Sequence, residues 1–322
     1  MSKTPRIILH NSDTKPLVRW LQASYPRADF RECDSYDALP ALIESYRPEV
    51  LYSVRFAGTP GFPRDALFGI HGPRWIANGG AGTDHFGLWD KTKTTVTNAK
   101  GVAAAMIAEY IIGGFLHFML DIPGLQKDKA ARVWNARTVR PLAGKSLLIV
   151  GLGHTGQAVA MRAKAFGMRI FGTRACPEPM LNIDEVHPAD DLIKLLPRAD
   201  FIVISTPLIS TTRSLIDTEQ IAVMKPGVIF ADVSRGGVVD QNALCDALHT
   251  GHVGAAVLDV FETEPLPKTS PLWALDNVII SPHCSSVYAE WEQASFDLFV
   301  QNLGRWISGE GLVNIVDPDR GY

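Results

Sequence analysis

Cysteine is scarce in this sequence, and the residues that do occur are far apart. The four cysteines, Cys33, Cys176, Cys245 and Cys284, form no Cys-x-x-Cys pair. We therefore expect neither a metal site nor a disulfide framework, and we predict a reducing, cytoplasmic environment. Neither sign of charge is in excess, because 31 Lys and Arg residues stand against 34 Asp and Glu residues. A chain without a strong field of either sign is not expected to bind nucleic acid or an anionic membrane.

Apolar segments of the kind that direct secretion or cross a membrane are equally rare. No long apolar run followed by a small-residue cleavage site occurs near the start, so we expect no signal peptide. The run from Val102 to Leu120 is nearly long enough to span a bilayer, but it carries Glu109 in its middle. A charge at the membrane centre costs at least a few kcal/mol. We therefore expect a soluble protein with a buried helix here, at a domain or subunit interface.

The chain is long enough for two domains, and its pattern is that of α/β proteins. At 322 residues it exceeds what one hydrophobic core usually organises. Short apolar runs alternate with helix-length segments, which predicts parallel sheets covered by helices. Within the first hundred residues, the predicted strands are Arg6–Leu9, Val50–Val54, Trp75–Asn78 and Thr95–Thr97. After the apolar helix, the predicted strands are Ser146–Val150, Arg169–Gly172, Phe201–Ser205, Val228–Asp232, Gly254–Leu258 and Val278–Ser281.

The second series of strands has the count of a complete dinucleotide-binding fold. An amphipathic helix in the last forty residues is surplus to that unit, and we expect it to return to the first domain. The predicted architecture is a Rossmann domain, residues 101–286, inserted in a flavodoxin-like α/β substrate domain made of residues 1–100 and 287–322.

A glycine motif follows the first strand of the predicted Rossmann domain. The motif is Gly151-Leu152-Gly153-His154-Thr155-Gly156, with the strand Leu147 to Val150 before it and a predicted helix after it. In this context the glycines allow a tight turn, close approach of the backbone to a pyrophosphate, and packing of the helix on its strand. We predict that Gly151, Gly153, His154, Thr155 and Gly156 line a cofactor site at the helix N-terminus.

The next strand ends without the acidic residue that NAD-preferring proteins use for the ribose 2′-hydroxyl. Thr173 and Arg174 occupy this position. Arg174 can pair with a 2′-phosphate bidentately, and Thr173 can donate a hydrogen bond to it. The sequence therefore predicts a preference for NADP(H), with NAD possible as a cofactor; the alternative is that Arg174 is a solvated charge stacked on the adenine.

Three ionisable residues each follow the end of a predicted strand. Arg235, Glu264 and His283 come after the strands that end near Asp232, Leu258 and Ser281. Ligands of open parallel sheets bind beyond the carboxyl ends of the strands, so these side chains are candidates for one site. Reduction of a 2-keto acid requires a proton donor that titrates near neutrality, a carboxylate to orient it, and a cation for the substrate. His283, Glu264 and Arg235 supply these groups in that order.

The sequence resembles the D-isomer-specific 2-hydroxyacid dehydrogenase family over nearly its whole length. The resemblance is carried by the glycine motif and by three further segments, Val233–Asp240, Leu258–Leu266 and Ser281–His283. It implies that Arg235, Glu264 and His283 are the catalytic set, and that Asp259 contacts the nicotinamide amide. It also implies a homodimer to which the helix from Val102 contributes.

The resemblance suggests further contacts in both domains. In the segment Asn78 to His85, the backbone N–H groups of Ala81 and Gly82 are expected to bind the substrate carboxylate. Arg55 occupies a position that often faces substrate, although an ordinary surface role is equally open; Arg235 and His283 are also predicted to contact substrate. The remaining predicted cofactor contacts are Thr206, Pro207, Thr212, Val233 and Ser285.

The departures from the family leave three interpretations open. Arg174 replaces the usual Asp, and Cys284-Ser285-Ser286 follows His283 where a small aliphatic residue and Gly are more common. The favoured function is reduction of glyoxylate, hydroxypyruvate or another small 2-keto acid to its D-2-hydroxy acid. A dinucleotide-sensing protein of the corepressor type is the alternative, and an enzyme acting on an inorganic oxyanion is a weaker one. Related formate dehydrogenases carry Gln where this chain has Glu264, which disfavours that activity.

Overall fold

The chain forms two compact units in the computed structural model, which describes residues 5–55 and 60–321. The first unit consists of Met1–Val102 and Tyr288–Tyr322, and the second of Ala103–Val287. These bounds differ from those expected from the sequence by one or two residues.

Parallel strands and helices alternate along both units. The strands are β1 Arg6–His10, β2 Asp29–Cys33, β3 Val50–Ser53, β4 Trp75–Asn78, β5 Thr95–Asn98, β6 Ser146–Val150, β7 Arg169–Thr173, β8 Glu185–His187, β9 Phe201–Ile204, β10 Val228–Asp232, β11 Val253–Leu258 and β12 Val278–Ile280. The helices are α1 Lys15–Ser24, α2 Leu39–Tyr46, α3 Arg64–Leu67, α4 Ala104–Met119, α5 Ile122–Ala131, α6 His154–Ala165, α7 Leu192–Leu195, α8 Thr218–Ala222, α9 Gln241–Thr250 and α10 Trp291–Ser308.

The first unit contains a five-stranded parallel sheet in the order β2-β1-β3-β4-β5. This is the flavodoxin-like order, as predicted. Helix α10 packs on the sheet through Phe296, Phe299 and Leu303, which join a core with Tyr52 and Trp75. Full burial of a side chain such as Phe296 contributes about 1.5–3 kcal/mol. The C-terminal helix is thus part of the first core although the second unit separates the two segments in sequence.

The second unit contains a seven-stranded parallel sheet in the order β12-β11-β10-β9-β6-β7-β8. Counted from β6, this is the Rossmann order 3-2-1-4-5-6 with β12 added beside the sixth strand. The Rossmann prediction is confirmed, but the predicted set of strands was incomplete. The third strand, β8, was missed, and the strand counted as the sixth is the seventh.

Strand β2 was also missed by the sequence pattern. Its sequence, Asp29-Phe30-Arg31-Glu32-Cys33, has only the last residue buried, because the strand lies at the edge of its sheet. Edge strands are commonly short and charged, which prevents pairing with other chains. The hydrophobic alternation that identifies a strand is absent from such a segment.

The apolar segment after Val102 forms α4, which packs against the sheet of the second unit. Ala108, Ile111 and Phe115 are fully buried in that core. A Cβ atom on Gly114 would lie 2.5 Å from Cγ2 of Val257, so this close approach to β11 requires glycine. Over residues 5–55 and 60–321 no single helix has the length and apolarity to cross a membrane; α4 and α5 taken together do by length and composition alone, with a 56° bend between them.

Candidate active site

The three predicted catalytic residues follow three neighbouring strands. Strands β10, β11 and β12 pair in parallel, so their carboxyl ends lie at one edge of the sheet. Arg235 follows β10, Glu264 follows β11 and His283 follows β12. Each side chain is carried on the loop immediately beyond its strand, where ligands of open α/β sheets bind.

His283 and Glu264 are in direct contact. Nδ1 of His283 lies 2.9 Å from Oε2 of Glu264, and the two side chains are 39% and 36% exposed. Burial alone would raise the pKa of the Glu264 carboxyl, but the hydrogen bond and charge of His283, the N–H of Phe261 and the charge of Arg235 hold it below its ordinary value. Glu264 is therefore ionised at neutral pH, and it fixes the ring with Nε2 directed away from the carboxylate.

Arg235 lies half-buried close to two acidic residues. Its Nη1 donates to the carbonyl oxygen of Ser234 at 2.7 Å. Burial raises the pKa of the Asp232 carboxyl to about 7, against the lowering effect of its hydrogen bonds from Ser234 and of the Arg235 charge. The guanidinium thus acts electrostatically on Asp232 as well as on Glu264.

Asp259 anchors the loop that carries His283. Its Oδ1 accepts hydrogen bonds from the hydroxyl of Ser281, from the N–H of Cys284 at 2.9 Å and from the N–H of Ser285 at 3.0 Å. The hydroxyl of Ser285 donates to Oδ2, and Asp259 is only 3% exposed. His283 itself adopts a positive φ of 53°, a conformation that this set of bonds supports. The predicted contacts of Asp259 and Ser285 with cofactor stay predictions; the anchoring role was not foreseen.

The glycine motif forms a backbone cradle at the start of α6. Gly151 has φ of 101°, and a Cβ atom there would lie 2.9 Å from Cγ2 of Thr206 and 3.0 Å from the backbone of Ser205. A Cβ on Gly156 would lie 2.3 Å from the carbonyl oxygen of Gly151. Over Gly153 there is open space, with no atom within 4 Å of an added Cβ.

The first turn of α6 is exposed at this cradle. Gly153 is the N-cap and its residue type offers no side chain to the first N–H groups of the helix. His154 is exposed and Thr155 half-buried. Unpaired N–H groups at a helix N-terminus, beside a backbone without side chains, suit a pyrophosphate. The residues present therefore fit a dinucleotide.

The end of β7 places Arg174 at the surface and Thr173 inside. Thr173 is 3% exposed. Arg174 is half-buried, and its Nη1 donates to Oε1 of Glu178 at 2.5 Å. A phosphate bound at Arg174 would compete with this carboxylate, which the sequence interpretation had not considered.

The predicted cofactor loop after β9 is a closed turn with one unsatisfied group. Thr212 donates from Oγ1 to the carbonyl oxygen of Pro207 at 2.5 Å and accepts from the N–H of Ile209 at 2.9 Å. Among the residues that the structure describes, the buried hydroxyl of Thr206 has no hydrogen-bond partner. Buried hydroxyls are usually satisfied, so an unpaired one beside Gly151 agrees with a ligand there. Val233 lies half-buried just after β10.

The predicted substrate loop belongs to the first unit and follows β4. Ala81 is exposed and Gly82 half-buried, while Asn78 and Asn98, at the ends of β4 and β5, are each 4% exposed. The Nδ2 atoms of these two asparagines donate to carbonyl oxygens of the loop. Arg55 lies exposed two residues after β3. The asparagines were not identified from the sequence, although both end a buried strand.

Comparison with known proteins places the chain in a family. Residues 112–285 match the family model described as D-isomer specific 2-hydroxyacid dehydrogenase, NAD binding domain. A D-3-phosphoglycerate dehydrogenase of Methanocaldococcus jannaschii is 36% identical over 259 residues, 79% of this chain and 49% of that protein, so the match spans about half the length of that relative. A glyoxylate reductase of Korarchaeum cryptofilum is 34% identical over 260 residues, 76% of each chain.

A solved structure is similar over the whole chain. It is that of a D-isomer specific 2-hydroxyacid dehydrogenase from Xanthobacter autotrophicus Py2 in complex with NADPH and MES, with a TM-score of 0.84 and 30% identity, covering 99% of this chain and 100% of that one. The family model covers more than half of the chain, and the match to the Korarchaeum protein covers three quarters of both sequences. The chain therefore belongs to the D-isomer specific 2-hydroxyacid dehydrogenase family.

Proposed function

We propose that this protein reduces a small 2-keto acid, of the glyoxylate or hydroxypyruvate type, to the D-2-hydroxy acid with NADPH. The observation that carries the proposal is the 2.9 Å contact between His283 and the ionised Glu264. Both residues lie at the edge of the sheet formed by the carboxyl ends of its strands, where Arg235 also lies. A histidine hydrogen-bonded to a carboxylate is suited to donate a proton, which is the requirement that a carbonyl reduction places on the protein.

The residues of the chain divide the work as follows. Nε2 of His283 donates a proton to the carbonyl oxygen as that oxygen gains negative charge, and Glu264 stabilises the imidazolium before the transfer. Arg235 polarises the carbonyl and pairs with the substrate carboxylate. The family resemblance implies that backbone N–H groups of Ala81 and Gly82 bind the substrate carboxylate. The cofactor, when bound, supplies the hydride that the carbonyl carbon receives.

The cofactor is held by the cradle of residues 151–156. The glycines admit the pyrophosphate and the first turn of α6 provides its N–H groups. Arg174 pairs with the 2′-phosphate, which favours NADPH over NADH. The reported structure of the Xanthobacter protein contains NADPH, which supports this choice.

We also propose that two copies form a two-fold dimer. The segment after α5 presents Trp134 fully exposed, at 101%, while Arg137 ties the same segment to Asp121 and Asp128. An ordered segment that exposes a tryptophan is typical of a surface covered by a partner. The cytoplasmic location, and the absence of nucleic-acid and membrane partners, stay predictions from composition.

Steady-state kinetics tests the enzymatic proposal. NADPH and NADH oxidation are followed by absorbance with glyoxylate, hydroxypyruvate, pyruvate and phosphite, for the wild type and for His283→Ala. We expect turnover with at least one keto acid, and a fall in kcat of about 10²–10⁴ in the variant. Equal rates in the two proteins would remove His283 from the mechanism. Tight NADPH binding without turnover of any keto acid would overturn the proposal in favour of a nucleotide sensor.

A further inference from the structure

The loop between β4 and the 3-10 helix Asp84–Phe86 has its carbonyl groups held by buried donors. The hydroxyl of Ser295 donates to the carbonyl oxygen of Gly79 at 2.7 Å. Nδ2 of Asn78 donates to the carbonyl oxygens of Gly80 and Gly82, each at 2.9 Å. Nδ2 of Asn98 donates to the carbonyl oxygen of Ala81 at 2.6 Å. We call Asn78, Asn98 and Ser295 the carbonyl clamp.

The carbonyl clamp dictates where the loop N–H groups point. In a planar trans peptide the N–H of one residue lies opposite the carbonyl of the residue before it. Because the carbonyls of residues 79–82 are directed to buried donors, the N–H groups of residues 80–83 are turned away from those donors. Ala81, in the middle of this run, is exposed. Successive N–H groups turned outward form a concave site for an anion.

Two of the clamp residues, Asn98 and Ser295, are themselves held by further contacts. Oδ1 of Asn98 accepts from the N–H of Lys100 at 3.3 Å, which assigns Nδ2 to the side facing Ala81. The main chain of Asn98 is paired with Asn314, whose carbonyl oxygen accepts from the Asn98 N–H at 3.1 Å. Ser295 is 2% exposed and lies 3.2 Å from the hydroxyl of Tyr52. A bond network this closely held keeps the loop in one conformation.

Gly79 completes the arrangement by allowing close approach. A Cβ atom at this position would lie 2.6 Å from Cγ2 of Val54 and 2.7 Å from the hydroxyl oxygen of Tyr52. Only glycine brings the start of the loop near enough for Ser295 to reach its carbonyl.

We propose that Asn78, Asn98 and Ser295 are positioning residues that preset the backbone of residues 80–83 to bind the substrate carboxylate. The inference rests on the proposed function, in which Ala81 and Gly82 receive that carboxylate. The three side chains act through the loop and leave the proton transfer to His283. Preset donors bind an anion without a cost of reorganisation, so loss of the clamp lowers affinity for the carboxylate selectively.

The test compares a charged substrate with its neutral ester. kcat/KM is measured with NADPH for glyoxylate and for ethyl glyoxylate in the wild type, Asn98→Ala and Asn78→Ala. Asn302→Ala is the matched control, because Asn302 is 1% exposed in the same unit and makes two main-chain hydrogen bonds, both to Val313. We expect each clamp variant to lose the preference for the acid over the ester by about 10- to 100-fold. The control should keep the wild-type ratio of kcat/KM for the acid to kcat/KM for the ester. KM for NADPH should be unchanged in all variants.

A binding measurement separates the clamp from the catalytic proposal. Oxamate, an unreactive carboxylate analogue, is titrated by calorimetry into each protein in the presence of NADPH, and melting temperatures are recorded for all four. Weaker oxamate binding in the clamp variants, at a loss of melting temperature like that of Asn302→Ala, supports the clamp even without turnover. Wild-type affinity or acid preference in both clamp variants overturns it. A wild type that neither binds oxamate nor prefers the acid overturns the carboxylate assignment of Ala81 and Gly82 together with the clamp.

Discussion

Replacement of Glu264 by Gln removes one charge from the His283 pair while keeping the size of the side chain. Two unit charges about 4 Å apart interact by about 1 kcal/mol in water and about 4 kcal/mol at an effective dielectric constant of 20. Both side chains are more than a third exposed, so solvent screening favours the lower figure. About 1 kcal/mol corresponds to a shift of roughly 0.7 pH unit in a proton equilibrium.

The amide also disturbs the hydrogen bonds of the carboxylate. In the wild type, Oε1 of Glu264 accepts from the N–H of Phe261 at 3.1 Å while Oε2 faces Nδ1 of His283. A Gln side chain has only one acceptor oxygen, so its NH₂ group must face one of these two donors. If it faces the ring, Nδ1 becomes the acceptor and the protonated imidazolium is disfavoured further.

The measurement is the pH dependence of keto acid reduction by NADPH. In the proposed mechanism, reduction consumes a proton and requires protonated His283, whereas Glu264 is ionised above its lowered pKa and favours that form. The alkaline limb of kcat/KM should therefore move to lower pH by about 0.5–1 unit in Glu264→Gln, which corresponds to a loss of rate of about three- to tenfold on that limb. Glu262→Gln is the control, because Glu262 is exposed on the same loop and accepts from the N–H of Gln241. Identical limbs in the wild type and Glu264→Gln would refute the role given to this carboxylate.

Three further predictions concern cofactor choice, stability and assembly. Arg174→Asp should raise KM for NADPH about 10- to 100-fold and leave KM for NADH within about twofold. Glu178→Gln removes a carboxylate that competes for Arg174 and should lower KM for NADPH by up to about fivefold. Equal effects on both cofactors would contradict the assignment of Arg174 to the 2′-phosphate. Burial raises the pKa of the Asp232 carboxyl from 3.8 to about 7, so the folded state binds more protons and wild-type stability falls as pH rises between those values. The gain in melting temperature of Asp232→Asn over wild type should thus be larger at pH 8 than at pH 5. A difference that does not depend on pH would contradict the raised pKa of Asp232. Trp134→Glu should yield monomers in sedimentation velocity. Trp273 is another exposed tryptophan, 55% exposed, and Trp273→Glu should leave the dimer intact. A monomeric wild type would contradict the proposed dimer.

The strands that could be predicted from the sequence are mainly those whose burial on both faces produces a run of apolar residues. The central strands of both sheets are short apolar runs because helices cover both of their faces, and β6, for example, was predicted with its observed bounds. The two missed strands lie at sheet edges and lack this signal: β2 has one buried residue and β8 has none, and the pairing of β8 with β7 depends on the tertiary fold. Strand β8 is nevertheless the third strand of the Rossmann order, which the pattern alone could not supply.

The candidate site divides in the same way. Arg235, Glu264 and His283 could be proposed from sequence because parallel strands end at a common edge, so the position after a strand is informative. The partners of Asp259 lie 22–26 residues further along the chain, and their hydrogen bonds depend on how the loop after β12 turns. Likewise, Ser295 reaches Gly79 across 216 residues of sequence. Side-chain direction within loops is not encoded in hydrophobic periodicity, so these residues became visible only in the structure.

The two candidate loops, residues 80–83 and the loop after β12, have opposite backbone groups bonded to buried side chains. In the first these groups are carbonyls and in the second they are N–H groups, and the difference follows from the group that each loop is proposed to offer to a ligand. The loop at residues 80–83 is proposed to bind an anion through N–H groups, so its carbonyls are taken up by donors, the amides of Asn78 and Asn98. The loop after β12 is proposed to act through an imidazole, and the two N–H groups that follow His283, those of Cys284 and Ser285, are taken up by a carboxylate, Asp259. In each case a buried polar side chain at or just beyond a strand end satisfies the backbone groups that the site does not need. The choice of amide behind one loop and acid behind the other therefore follows from the group that the loop exposes. An ionised carboxylate in place of Asn78 or Asn98 would turn acceptor-only oxygens toward the loop carbonyls and leave both sides unsatisfied.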